Sequence, residues 1–239
     1  MLAELPGTAA YTYFMRIAVA LFPLSSLLPL LLAAGDSPPA PRPGSAPVTE
    51  SRRASAPSAG FSPARDWPRP ARWKKETIPF PLEFAPAIAH RGTEELRFAP
   101  GMFKPAVPGY WSYAFVWWVE DRELQSWESL QGELNAYFQG LITSVAAGKK
   151  LKIAADSIHV TLHPLRMKAV DGWQPMNGEA TLPDAFSDGR TVQLGLWLYQ
   201  KDFPAQHRRA VMVLVSPAAA DASIWVALQK CRAGFKPAP

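Results

Sequence analysis

The segment Tyr110 to Asp121, YWSYAFVWWVED, decides how the rest of the chain is read. Its aromatic and β-branched content favours a strand, but a strand with one face in water alternates apolar and polar residues, and this one does not. Alternation puts Trp111, Tyr113, Phe115, Trp117 and Val119 on one side and Tyr110, Ser112, Ala114, Val116, Trp118 and Glu120 on the other. Both sides are largely apolar. Such a strand belongs inside a sheet that is covered on both faces.

Two amphipathic segments supply the covers. In SWESLQGELNAYFQGLITSVAAG, Ser126 can cap a helix whose Trp127, Leu130, Leu134, Tyr137, Phe138, Leu141, Ile142 and Val145 recur at helical spacing, with Gly148 as the stop. In DASIWVALQKCRAGFKP, Asp221 or Ser223 caps, Ile224, Ala227, Leu228, Cys231 and Phe235 form the stripe, and Pro237 ends it. Further strands are expected at EELRFAPG (Glu94 to Gly101), DSIHVTLHPL, NGEATLPD, RTVQLGLWLYQKDF and RRAVMVLVSP, separated by turn signals at VDGW, SDGR and FPAQ. The order β-β-α-β-β-β-β-α describes an α+β fold: a largely antiparallel sheet with helices on both faces, an α/β/α sandwich. It forms one domain from Glu76 to Pro239.

The part before that domain has a different character. Met15 to Gly35, MRIAVALFPLSSLLPLLLAAG, joins a positive residue, an apolar run and small residues, the pattern of a secretory signal peptide, with Met15 as the expected true start. Pro23 and Pro29 interrupt the run, which favours a cleaved signal over a retained anchor, and no integral span is expected in the mature chain. Residues 36–75, rich in Pro, Ala, Ser and Arg, read as a disordered linker. The basic pI of 9.4 is spread along the chain: residues 1–73 hold 7 Lys+Arg against 4 Asp+Glu, and the remainder 18 against 16. No dense basic stripe results, so nucleic acid is not an expected partner.

FAPGMFKPAVPGYWSYAFVWW followed by LNAYFQGL resembles a group of exported bacterial proteins that have no assigned activity, over roughly residues 78–145. That resemblance implies export to the periplasm or cell surface of a bacterium and transfers no catalytic residue. The order of elements is also similar to the Mog1/PsbP-like α/β/α sandwich, a likeness of topology without a shared motif.

Each chemical motif has a simpler reading. His159 and His163 have the spacing of a helical zinc pair, but on a strand they stand about 13 Å apart at 3.3 Å per residue, too far for one metal. With Asp156 they are the candidates for a hydrolase site assembled from dispersed residues. AAGKK (Ala146 to Lys150) matches the end of a phosphate-binding loop, but Thr143 replaces the earlier glycine and the segment follows a helix. Cys231 lies on an apolar stripe and reads as a structural thiol. Trp118, Trp197 and Tyr199 could together form a flat platform for a ligand. No cofactor and no metal site is expected. The expected function is therefore non-catalytic, an exported domain binding a protein partner or a small apolar or sugar ligand; the alternative is an exported hydrolase using His159 and His163.

Overall fold

The computed structural model describes residues 67–120, 124–165 and 167–237. The expected signal peptide, the Met15 start and the expected linker as far as Asp66 lie outside the described residues. The strands are β1 (Lys74–Pro79), β2 (Gly92–Phe98), β3 (Tyr113–Val119), β4 (His159–Pro164), β5 (Gln174–Pro183), β6 (Thr191–Phe203) and β7 (Arg208–Ser216), and the helices are α1 (Trp127–Lys149) and α2 (Ser223–Ala233). The strands form one 7-stranded sheet in the order β1-β2-β3-β7-β6-β5-β4, and every pairing is antiparallel. The mixed α+β class with an antiparallel sheet is thus the architecture observed.

β3 lies between β2 and β7, and all of its residues are buried. Tyr113, Phe115, Trp117 and Val119 enter one core with Leu134, Tyr137 and Phe138 of α1. Ala114, Val116 and Trp118 enter a second core with Leu228 and Cys231 of α2. The strand is shorter than its sequence pattern: Tyr110 to Ser112 belong to the preceding turn, and Trp111 has a positive φ of 52°. Trp111 is still fully buried, because the turn folds its indole back into the first core.

α1 begins as expected, with the Ser126 hydroxyl accepting a hydrogen bond from the Ser129 N–H at 3.2 Å. It does not stop at Gly148. The left-handed residue that ends it is Lys150 (φ 58°), while Val145 and Ala146 are still buried and Lys149 donates to the Phe186 carbonyl at 2.6 Å. Those contacts carry the helix past a glycine that had no obligation to end it. Gly140 is required by packing, since a Cβ there would overlap the Phe84 carbonyl oxygen and only glycine lets the helix approach that loop. At α2 the cap residue is Ala222 without a side-chain bond, in place of Asp221 or Ser223, and Trp225 joins Leu228 and Cys231 as the buried residues.

The folded part starts earlier than the expected boundary at Glu76. Trp67 and Trp73 are buried in the second core, and the Trp67 indole donates to the Cys231 carbonyl at 2.7 Å. The Arg97 guanidinium stacks over Trp67 at 4.2 Å, beside Glu95 at 3.7 Å. β1 follows at once and pairs with β2 along its length. At the opposite edge, the Val160 and Leu162 N–H groups donate to the side-chain carbonyls of Asn135 and Gln131 of α1, at 2.8 and 2.9 Å. Side-chain amides of the helix thereby occupy backbone groups that an edge strand would otherwise offer to another chain.

Candidate binding site

The two faces of the sheet are finished differently. On β4 exposed His159, Thr161 and His163 alternate with buried Val160 and Leu162, whose side chains join the α1 core. The register places His163, Asn177 and Trp197 in one cross-strand row and Thr161, Glu179 and Gly195 in the next. These residues share the face on which α2 packs, and Thr161, Glu179 and Trp197 are exposed there. α2 lies mainly against β3 and β7, so a groove forms where the helix ends its contact with the sheet and Trp197 begins.

The groove holds about 510 Å³ between Trp197, Ala220, Trp225, Val226, Gln229, Lys230, Arg232 and Ala233. Gly195 helps to set it, because a Cβ there would come within 3.3 Å of the Trp225 ring. The Trp225 indole donates to the Ala218 carbonyl at 3.1 Å, which fixes the ring at the base of the helix. One turn later the Gln229 amide donates to the Tyr199 hydroxyl at 2.9 Å and accepts from Arg232 Nε at 3.0 Å. The Arg232 guanidinium stacks on the Tyr199 ring at 4.5 Å. Thus β6 and α2 are stitched by an amide, a phenol and a cation, and Trp197 is left at the rim, 36% exposed.

The residues singled out from sequence fall in different places. Trp197 lines the groove, Tyr199 lies beneath Arg232, and Trp118 is fully buried against Phe203 (5.0 Å) and Phe235 (6.0 Å). The indole of Trp118 therefore does not share an open platform with the other two. His159 and His163 are exposed on β4, and Asp156 is exposed in the short 3-10 turn before it. Among the described residues none of these three is paired with either of the others, and no cluster of three or more His, Cys, Asp or Glu side chains is arranged to hold a metal.

The fold makes other polar constellations that sequence reasoning missed. His90 Nε2 and Glu133 Oε2 are 3.0 Å apart, and the Gln125 amide occupies the other Glu133 oxygen at 2.5 Å. The His90 ring is enclosed by Phe80 and Trp117, so the pair fastens the β1–β2 connection to α1. Asp184 accepts from the Tyr110 hydroxyl (2.5 Å), the Trp111 indole (3.0 Å) and the Phe186 N–H (3.1 Å). Burial, with the Asp184 carboxylate beside it, raises the Tyr110 hydroxyl above its ordinary range. Glu94 is fully buried next to Trp117 and Tyr137, and desolvation pushes its carboxyl up to about 8. Burial likewise pushes the Cys231 thiol up to about 11, which suppresses its thiolate at neutral pH.

A second cavity of about 310 Å³ lies at the start of α1, between Gln125, Trp127, Leu165, Met167 and Gln200. Gln125 and Gln200 are tied to each other there, backbone to amide, at 2.9 and 3.1 Å. No helix among the described residues is long and apolar enough to cross a membrane. Comparison of the chain with models of protein families, with curated proteins and with solved structures found no match.

Proposed function

We propose that this chain is an exported bacterial domain that acts by binding in the periplasm or at the cell surface, and that the groove between β6 and α2 is its binding site. The observation that carries this reading is Trp197, an indole exposed at the rim of a preformed groove whose floor is a second indole and whose wall holds a fixed guanidinium. Exposed aromatic rings beside an arginine are the residue types enriched where proteins meet their binding partners. In this reading the domain is an α/β/α sandwich that α2 closes over β3 and β7 and leaves open towards β4, and the open margin is the functional one. The hydrolase alternative needs His159 or His163 beside a carboxylate; among the described residues the histidine that meets a carboxylate is His90, at Glu133, and its imidazole is packed against Phe80 and Trp117.

Two measurements test the proposal. Intact mass of the protein from its own host should show a mature species beginning near Gly35; a mature species retaining Met1 to Phe14 contradicts export by the route read from the sequence. A ligand screen on the wild-type chain and on Trp197→Ala should return binders that the variant loses while its thermal midpoint stays within about 2 °C. Binders that hold equally well to both chains place the site elsewhere.

A further inference from the structure

Resting on that reading of the groove, we infer that its occupant is a short acidic segment of a partner protein, one in which an apolar side chain is followed closely by a carboxylate. The lining combines the apolar surfaces of Trp197, Trp225 and Val226 with the cations Lys230 and Arg232, and it includes no acidic side chain. Arg232 is held before any ligand arrives: its ring contact to Tyr199 at 4.5 Å and its Nε bond to Gln229 at 3.0 Å fix the plane of the guanidinium. Its terminal amino groups make no hydrogen bond among the described residues. A planar fork fixed in this way is suited to a carboxylate, which it can bind through two parallel N–H bonds.

The shape selects a segment of a larger molecule. Val226 is 58% exposed and Trp197 36% exposed, so the groove is shallow and open along the helix and does not enclose a lipid tail or a free small molecule. A second copy of the chain meeting it face to face would set Lys230 and Arg232 of one molecule against the same cations of the other. The chain's own residues 36–66 carry Arg42, Arg52, Arg53 and Arg65 against Asp36, Glu50 and Asp66, a balance that a basic groove does not attract. An acidic segment from another protein satisfies both the indoles and the cations.

The test is selection of random peptides displayed on phage against the immobilised full chain, followed by affinity measurement with the selected peptides as synthetic, end-blocked probes. Neutral cellotriose and chitotriose form a parallel arm. Selected peptides should be enriched in an apolar residue within one or two positions of Asp or Glu. Affinity should fall about ten- to a hundredfold in Arg232→Gln. It should fall less in Lys230→Gln, a substitution at an exposed position that does not touch the core. It should also weaken as salt rises from about 50 to about 500 mM. Peptides that need Trp197 but show no acidic preference and bind Arg232→Gln as well as wild type overturn the inference and leave the groove standing. So does a neutral oligosaccharide that binds through Trp197 when no acidic peptide does. Recovery of no peptide that depends on Trp197, with no sugar bound, overturns the inference and removes the groove as the site.

Discussion

The indole N–H of Trp117 points to Glu94 Oε1 at 3.3 Å, joining two residues that stand opposite each other on neighbouring strands, both completely buried. The Tyr137 hydroxyl faces the same carboxyl, and Glu76 of β1 adds a negative charge from the sheet edge. Desolvation is the dominant effect and holds Glu94 protonated up to about pH 8, against an ordinary value of 4.5. A raised carboxyl pKa stabilises the fold fully below the unfolded value and loses that contribution as pH rises through the folded one. Wild-type stability should therefore decline between about pH 4.5 and 8 relative to Glu94→Gln, by on the order of 3–5 kcal/mol in total. Urea midpoints of both chains across that range check this, and parallel curves would mean that Glu94 is charged in the folded protein.

Phe115 and Trp118 lie on opposite faces of β3 in separate cores, and each is fully buried. Truncating either to Ala should cost about 3–5 kcal/mol. The two losses should be similar in denaturant titrations. A Trp118→Ala chain as stable as wild type would show that the second core contributes little.

Gly132 and Gly140 sit in the same helix and should respond oppositely to alanine. Helix propensity favours Ala by about 1 kcal/mol at both sites. At Gly132 a Cβ meets nothing within 4 Å, so Gly132→Ala should stabilise; at Gly140 it overlaps the Phe84 carbonyl oxygen, so Gly140→Ala should destabilise. Thermal midpoints that move in the same direction would contradict the close packing of α1 on the 84–85 loop.

A chain beginning at Asp66 retains Trp67, Trp73 and β1, and a chain beginning at Glu76 loses both indoles and the first residues of the strand. The shorter chain should be less stable by several kcal/mol, since each tryptophan is worth about 3 or more when deleted from a core. Circular-dichroism melts of the two chains decide it; equal midpoints would return the boundary to Glu76.

β3 was legible because its composition left no solvent face, and α1 because its cap and stripe agree. β1 was not. KKETIP has little apolar content and follows a Pro- and Arg-rich stretch, and it becomes a strand by pairing with β2. Binary patterning also fails on β2, where Glu94, Glu95 and Arg97 are fully buried: Arg97 is accommodated by the Trp67 ring and Glu95, groups that come together only after folding. The same limit hid the candidate site. Trp197 was readable as a strand aromatic, but Arg232 gains its role by stacking on Tyr199 from another element. The His90–Glu133 contact joins residues 43 positions apart with no shared motif.

The location of the binding site is tested most directly by a two-dimensional NMR titration that follows the tryptophan indole N–H signals as a selected acidic peptide is added to the full-length chain. The Trp197 and Trp225 signals should move together and saturate with one constant, while those of the buried Trp117 and Trp118 stay in place. Movement centred instead on Trp127, at the cavity beside Met167, with Trp197 unmoved, would contradict the assignment of the β6–α2 groove.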